Sequence, residues 1–184
     1  MEDGYQDAGK VLSNEMCLSY VGRLFSAMSQ DKTSHDPQCP SSPSMYGLFD
    51  DLLLDLKPTI EKVTNKSLLP TYSYTRLYLP GEILRIHTDR HACEISVTLT
   101  LGYCGNDAWP IYFIGKDEKD LRNESGFHID VGHAVVYKGC LPHWRDHFRG
   151  LWQAQVFLHY VDANGPYTEW VYDKREGLNI HAAK

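Results

Sequence analysis

The sequence predicts an α+β fold that is mainly β, with a jelly-roll or double-stranded β-helix core backed by N-terminal helices. Apolar residues recur at helical spacing before residue 65, and short alternating segments with turn signals follow residue 70. Two helices followed by about eight short strands are typical of this architecture. We expect the 184 residues to form one domain, with helical support at about 10–65, a core at about 70–162 and a tail at 163–184.

The two helices are predicted on either side of a polar segment. Ser13 can cap a first helix at 11–29. Its apolar positions recur every four residues, at Met16, Tyr20, Leu24 and Met28. A second helix is predicted at about 45–65, where Pro58 must introduce a kink or a restart. The proline-rich residues 30–44 are predicted to be a loop, which we interpret as a connector rather than a mobile lid.

The remaining elements are short strands separated by turn signals. One of them alternates cleanly, with Ser96, Thr98 and Thr100 on the face opposite its apolar residues. These hydroxyls predict a polar barrel interior. A polar loop is predicted at 115–125. The predicted strands are Tyr72–Leu79, Ile83–His87, Glu94–Leu101, Trp109–Ile114, His133–Lys138 and Trp152–Val161.

Charge and composition narrow the range of partners. The formal net charge is −6 and no basic run occurs, which argues against nucleic acid or an anionic membrane as the main partner. There is no apolar signal core and no apolar run of membrane-spanning length, so we predict a cytoplasmic protein. The five cysteines are odd in number and contain no Cys-X-X-Cys pair, which argues against a disulfide framework or a structural zinc site.

A candidate metal site begins at the end of the second predicted strand. His87 and Asp89 lie two residues apart, so on an extended chain their side chains project to the same side. His143, 54 residues beyond Asp89, would supply a second imidazole. Two imidazoles and one carboxylate on one face of a metal leave the opposite face open. That is the ligand set of the 2-His-1-carboxylate non-haem iron(II) oxygenases.

Other histidines are weaker candidates for this site. His128-Ile129-Asp130 repeats the motif, but His128 lies only 15 residues before His143, which is too close for the intervening strands. His147 could replace His143 as the distal ligand, although its neighbours are more typical of a polar turn. His159 is predicted to face inward, either as a residue of the substrate pocket or as a hydrogen-bonded core histidine.

Four segments resemble the iron(II)/2-oxoglutarate-dependent oxygenases, particularly the prolyl-hydroxylase-like branch: Arg76–Gly81, His87–Asp89, Val131–Tyr137 and Leu141–Arg145. The resemblance covers roughly residues 69–162, about half of the chain. It implies that His87, Asp89 and His143 bind Fe(II), with 2-oxoglutarate as co-substrate and O2 as oxidant. It also implies a hydroxylase acting on a peptide or small molecule. Asp89 disfavours a halogenase, because in the resembling halogenases this carboxylate is replaced.

The sequence departs from this family at the expected co-substrate anchor. Such enzymes usually carry an arginine or lysine about ten residues after the distal histidine, where this chain has Gln153. We favour Arg145 as the replacement, because it shares a strand face with His143 and a guanidinium can grip a carboxylate bidentately. Tyr78 and Tyr103 are candidate hydroxyl donors to the same carboxylate. Further candidates are Thr98 or Thr100 as supporting hydroxyls, and Arg76, Arg85 and Arg149 as alternative cations.

Two other functions stay open at this point. Gln153 favours a cupin-like metal enzyme that does not use 2-oxoglutarate. The triad could also belong to a non-catalytic jelly-roll binding module. Succinate formation would separate the first alternative from the oxygenase, and iron titration would separate the second. The sequence predicts neither the substrate nor the oligomeric state.

Overall fold

The structure is a computed structural model that describes residues 1, 4–106, 108–114 and 126–180. The loop predicted at 115–125 lies outside the described residues. The helices are α1 (Asn14–Ser29) and α2 (Asp50–Thr64), with short 3₁₀ helices at His91–Cys93 and Thr168–Lys174. The strands are β1 (Tyr5–Lys10), β2 (Ser34–Asp36), β3 (Cys39–Tyr46), β4 (Leu68–Tyr78), β5 (Leu84–His87), β6 (Ile95–Cys104), β7 (Tyr112–Phe113), β8 (His133–Lys138), β9 (His143–Arg145) and β10 (Trp152–Asp162).

Two antiparallel sheets form the core of the fold. The larger sheet has seven strands in the order β1-β8-β6-β10-β4-β3-β2, and the smaller has three in the order β5-β9-β7. Side chains from both sheets line one cavity. The predicted fold class, α+β and mainly β, is confirmed.

The helices cover the outer face of the large sheet. Leu24 of α1 and Leu52 of α2 are fully buried in one apolar cluster with Val97 and Leu99 of β6. The alternate residues of β6 point the other way, and Ser96, Thr98 and Thr100 are fully buried as well. The predicted polar barrel interior is therefore present, and it is formed by a strand that is buried on both faces.

The helix boundaries differ partly from those predicted. Ser13 caps α1 as expected, its hydroxyl oxygen accepting a hydrogen bond from the Met16 amide at 3.2 Å. α2 begins at Asp50 rather than near residue 45, because Met45 and Tyr46 belong to β3. The predicted restart at Pro58 was wrong, since α2 runs through it. Burial of four apolar side chains of α2 offsets the roughly 3 kcal/mol cost of an interior proline.

The prediction of a loop at 30–44 was wrong, because most of this segment forms strands. β2 and β3 form a hairpin that extends the edge of the large sheet, and Ser44 pairs with Arg76 of β4. The residues are polar and rich in proline, so no alternation revealed the strands. Pro40 and Pro43 of β3 precede residues 44–46, which pair with β4, so neither proline has to donate to that ladder. β1 was also not predicted, and it pairs with β8 at the opposite edge.

The C-terminal tail packs against the start of α2. The Arg175 guanidinium donates to the Asp50 carboxylate at 3.3 Å, and the backbone amide of Asn179 donates to the same oxygen at 2.9 Å. None of the helices in the described part of the chain is long and apolar enough to cross a membrane.

Candidate metal centre and its cavity

Pairing of β5 with β9 brings the predicted metal ligands together. His87 at the end of β5 is the register partner of His143 at the start of β9. Asp89 follows β5 by two residues, and its Oδ1 lies 3.8 Å from His87 Nε2 and 3.7 Å from His143 Nε2. These three residues, called the triad below, thus point two nitrogens and one oxygen at a common centre.

Backbone carbonyls set the tautomers of both histidines. His87 Nδ1 lies 2.8 Å from the Arg85 carbonyl oxygen, and His143 Nδ1 lies 2.9 Å from that of Leu141. Because a carbonyl only accepts, each Nδ1 must carry the proton and each Nε2 keeps its lone pair. Burial also lowers the pKa of His143, which favours the neutral, metal-binding form.

The second oxygen of Asp89 is held away from the centre. Its Oδ2 accepts hydrogen bonds from the Ser96 hydroxyl at 3.1 Å and from the Tyr137 hydroxyl at 3.3 Å. Burial, and then the charge of Asp89, raise the pKa of Tyr137, so the phenol stays protonated and remains a donor. Ser96 and Tyr137 had no assigned role in the sequence; the inward face of the Ser96 strand was the available signal.

The triad fits a divalent first-row metal with open coordination positions. Neutral imidazole and carboxylate are the donors that such ions prefer, and only one side of the cluster is taken by protein ligands. The triad borders a cavity of about 340 Å³, which is at the small end of the range for ligand pockets. A ligand entering this cavity could therefore reach the metal directly.

A second group of possible ligands shares Asp89 with the triad. The ligand atoms of Asp89, Cys93 and His159 also lie within 4.8 Å of one another. Burial raises the pKa of the Cys93 thiol to about 12, and this thiol lies 3.0 Å from the Tyr72 hydroxyl. A thiol must lose its proton to bind a metal, so this group is the poorer site.

Two of the other histidines considered as metal ligands lie away from the triad. His128 and His147 line a separate cavity of about 420 Å³, and His128 Nδ1 lies 2.9 Å from the Ala108 carbonyl oxygen. His159, in contrast, is 5% exposed and lines the triad cavity. Its Nδ1 is also hydrogen-bonded to the Ser96 hydroxyl at 2.9 Å, so the residue has features of both interpretations considered for it.

Arg145 is a buried cation on the same strand as His143. It is fully buried, one terminal nitrogen donating to the Trp109 carbonyl and the other lying 3.4 Å from the Thr98 hydroxyl. Its Nε has no hydrogen-bond partner, and no carboxylate among the described residues forms an ion pair with it. Burial lowers the pKa of this guanidinium. A buried charge without a counter-charge is costly, which points to an anionic ligand.

The other candidate cations are either neutralised or exposed. Arg76 lines the triad cavity, but its guanidinium forms an ion pair with Asp36 of the β2–β3 hairpin. Arg85 and Arg149 are exposed. Arg145 is therefore the buried candidate whose charge has no carboxylate partner among the residues that the structure describes.

Neutral polar groups surround the Arg145 guanidinium. Gln155, which the sequence analysis did not single out, donates from Nε2 to the Thr98 hydroxyl at 2.7 Å. Its Oε1 accepts from Gln153 and from Thr100, both at 3.1 Å. Gln153, at the position where the oxygenases usually have a cation, thus belongs to an uncharged hydrogen-bond network. This network contacts Arg145 through Thr98.

The two tyrosines predicted as hydroxyl donors differ in position. Tyr78 is fully buried, lines the triad cavity, and lies with its ring 5.9 Å from the Arg145 guanidinium. Tyr103 is partly exposed, and its hydroxyl lies 3.5 Å from the Asp130 carboxylate. Tyr103 is not among the described residues that line the cavity.

Comparison with known proteins gives matches at the level of structure. No protein-family profile and no curated protein sequence matches the chain. The non-heme alpha ketoglutarate dependent carbocyclase SnoK from nogalamycin biosynthesis aligns with a TM-score of 0.73 at 10% identity, over 88% of this chain and 81% of SnoK.

Two further solved structures share this fold. A prolyl-4-hydroxylase from Pseudomonas putida aligns with a TM-score of 0.70 at 13% identity, over 88% of this chain and 94% of the enzyme. HygX from Streptomyces hygroscopicus, solved with nickel and 2-oxoglutarate bound, gives 0.71 at 12% identity, over 90% and 85%. The chain therefore has the double-stranded β-helix fold of the iron/2-oxoglutarate-dependent oxygenases, with a candidate His-X-Asp…His metal site inside it.

Proposed function

We propose that the protein is an Fe(II)/2-oxoglutarate-dependent dioxygenase that hydroxylates a peptide or a small molecule. His87, Asp89 and His143 would bind the iron. The observation that carries the proposal is Arg145, a fully buried cation without a carboxylate partner among the described residues, two positions along the strand from His143. Arg145 is not itself among the residues that line the triad cavity, so a dicarboxylate extending from the metal would have to pass Tyr78, whose ring lies 5.9 Å from the guanidinium, to supply the missing counter-charge.

The residues around the triad have distinct tasks in this proposal. When bound, iron and 2-oxoglutarate activate O2, and oxidative decarboxylation to succinate and CO2 is coupled to oxidation of a C–H bond. Arg145 would bind the far carboxylate, and the Tyr78 hydroxyl, which burial keeps protonated by raising its pKa, would donate to it. Gln153 and Thr100 would hold Gln155, which in turn positions Thr98 beside the guanidinium.

Two solved neighbours suggest different substrate classes, a small molecule and a peptide. One solved neighbour is HygX with hygromycin B bound, and another is a prolyl-4-hydroxylase. The cavity of about 340 Å³ must hold the co-substrate as well as the reacting group. A substrate would therefore place only a small part of itself beside the metal.

The proposal is tested by following 2-oxoglutarate. We expect Fe(II)- and O2-dependent formation of succinate, and a visible charge-transfer band when Fe(II) and 2-oxoglutarate are added without oxygen. His87→Ala should abolish both. Binding of Fe(II) without any effect of 2-oxoglutarate would instead support a cupin-like enzyme with another co-substrate, and no metal binding would support a binding module.

Arg145→Met tests the co-substrate anchor. Because two charge-assisted hydrogen bonds would be lost, we expect 2-oxoglutarate affinity to fall by about 100-fold or more, with metal affinity unchanged. Without ligand, the variant should be at least as stable as the wild type, since an uncompensated buried charge is removed. Arg149→Met, an exposed site on the following loop, is the matched control. Equal 2-oxoglutarate affinity in both variants would show that Arg145 is not the anchor.

A further inference from the structure

His159 of β10 forms part of the cavity wall beside the triad without being one of its members. Its side chain is 5% exposed, and its ring packs against that of Tyr72 with centroids 4.5 Å apart. Its Nδ1 lies 2.9 Å from the Ser96 hydroxyl oxygen, which also contacts Asp89. His159 is therefore linked to a candidate metal ligand through one hydroxyl group.

The single proton of Ser96 fixes the protonation of this imidazole. The hydroxyl oxygen contacts Asp89 Oδ2 at 3.1 Å, the Cys93 carbonyl at 3.1 Å and His159 Nδ1 at 2.9 Å, and it also neighbours the Tyr137 hydroxyl. The carboxylate and the carbonyl can only accept, so the hydroxyl proton points to them. The third contact is then a hydrogen bond that His159 Nδ1–H donates to the Ser96 oxygen.

This tautomer leaves His159 Nε2 as an acceptor. No hydrogen bond to Nε2 is found among the residues that the structure describes, whereas Nδ1 is paired. Burial lowers the pKa of His159 to about 4, so the ring is neutral near pH 7. Nε2 is not among the fully buried polar atoms that lack a partner, and His159 lines the triad cavity, so a ligand in that cavity could supply the donor.

We propose that His159 contacts the substrate: its Nε2 accepts a hydrogen bond from an N–H or O–H group and thereby orients the neighbouring C–H bond toward the metal. The substrate class is then a molecule with such a donor close to the oxidised carbon, such as an alcohol or an amide. A group that only accepts, such as a carboxylate or an ether oxygen, is disfavoured at this point of the cavity. The proposal rests on the proposed oxygenase function for the identity of the reacting centre.

The tautomer itself can be tested without any oxygenase chemistry. Metal-free protein labelled with ¹⁵N-histidine should show His159 with a protonated Nδ1 and an unprotonated Nε2 in long-range ¹H–¹⁵N spectra near pH 7. Assignment uses the loss of this signal in His159→Gln. A protonated Nε2 would overturn the proposal whatever the enzymatic activity, because the nitrogen would then be a donor.

Recognition of a donor is tested with matched pairs of small fragments. Zn(II)- and 2-oxoglutarate-loaded protein is screened by ligand-observed NMR with alcohols and amides, each beside its O- or N-methylated partner. We expect donor-bearing fragments to bind about five- to tenfold more tightly than their partners, as for one hydrogen bond. The preference should disappear in His159→Phe and return in His159→Gln, whose side-chain oxygen can replace Nε2 as acceptor.

The controls separate this inference from the proposed function. Zn(II) affinity should stay within about threefold in both variants, because Ser96 and Tyr137 still hold Asp89. If no donor-bearing fragment binds better than its methylated partner, or if His159→Phe retains the preference, the inference is wrong. Succinate formation by the wild type would then still support the oxygenase.

Discussion

Gly139, the residue after β8, packs directly against the segment that follows Asp89. Its carbonyl accepts the Asp89 amide at 2.7 Å. A Cβ atom at this position would lie 2.0 Å from the Cys93 carbonyl oxygen and 3.0 Å from Asp89 Cβ. The close approach of two backbones, rather than an unusual φ angle, is what requires glycine here. Gly139 therefore helps to position a candidate metal ligand without contacting the metal.

Gly139→Ala is predicted to weaken metal binding. The new methyl group must push the residues from Asp89 to Cys93 away from β8, and loss of an outer support for a ligand typically costs 10- to 100-fold in affinity. Mn(II) titration followed by electron paramagnetic resonance would measure the change. Gly177→Ala is the control, because a Cβ there meets no atom within 4 Å. Unchanged Mn(II) affinity in Gly139→Ala would contradict the assigned position of Asp89.

Protonation of His159 predicts an acid-sensitive fold. Burial lowers its pKa to about 4 in the folded protein, whereas an unfolded histidine titrates near 6.5. The unfolded state therefore binds more protons between these values, so stability falls as the pH drops through this window. For the metal-free protein, the loss from His159 is on the order of 3 kcal/mol by pH 4.

Urea unfolding of metal-free protein between pH 4.5 and 7.5 would measure this dependence. We expect His159→Gln to have a flatter profile than the wild type below pH 6.5, because the variant has no group to titrate at this position. His143, whose pKa burial also lowers, should contribute a residual slope of the same sign in both proteins. Parallel profiles would show that His159 is already accessible to protons in the folded state.

At the scale of elements, the apolar pattern predicted the strands with alternating apolar residues and missed the polar ones. β8 was predicted with its observed bounds, and the alternating segment of β6 was found to within three residues at its C-terminal end. β1, β2 and β3 were missed because their residues are polar. β1 and β3 also pair with strands far along the chain, as Tyr5 does with Tyr137 and Ser44 with Arg76, whereas β2 pairs only with β3 in a hairpin. Whether a polar segment becomes a strand depends on the neighbouring strand with which it pairs. A short stretch of sequence read for apolar alternation does not show that neighbour.

Asp50 joins three elements at the start of α2. It is fully buried, and its oxygens accept hydrogen bonds from the amide and the hydroxyl of Ser73 on β4, at 2.9 and 2.8 Å. They also accept hydrogen bonds from the Asn179 amide and the Arg175 guanidinium of the C-terminal tail. A carboxylate in the first turn of a helix also interacts favourably with the helix dipole. One side chain thus connects α2, the large sheet and the tail.

Asp50→Ala is predicted to destabilise the fold by about 3–5 kcal/mol, because it leaves a half-buried guanidinium and buried donors unpaired. Asp51→Ala is the matched control. Asp51 is the next residue and pairs with Arg23, but both side chains are about one-third exposed, so we expect a loss of roughly 1 kcal/mol or less. Urea denaturation of both variants would measure the difference. Equal losses would show that burial of Asp50 does not govern the connection.

For the molecule as a whole, the candidate metal ligands were predictable and the surroundings of the proposed co-substrate anchor were only partly so. His87 and Asp89 follow from side-chain alternation on one strand, and His143 from the resemblance of Leu141–Arg145 to the oxygenases. The same alternation favoured Arg145. The sequence did not reveal that Arg145 is buried with no carboxylate partner among the described residues, or that Gln155 connects Gln153 to Thr98. These features depend on contacts between strands that are distant in sequence.

The small sheet consists of short strands, two of which lie next to the triad. β5, β9 and β7 contain four, three and two residues, whereas β4 and β10 of the large sheet contain eleven each. Short strands with few ladder hydrogen bonds open at low free energy. A metal bound to His87, Asp89 and His143 would connect β5 to β9 and should stabilise the small sheet selectively.

Metal binding is therefore predicted to act on both global and local stability. At a free Ni(II) concentration 100 times its Kd, binding adds about 2.7 kcal/mol, which for a chain of this length raises the Tm by roughly 5–10 °C. Hydrogen exchange should slow first at the amides of β5 and β9, while β6 and β10 change only with global stability. His87→Ala should remove both effects. Equal slowing in both sheets would mean that the small sheet already opens only with the whole fold, and that the triad is not needed to connect its strands.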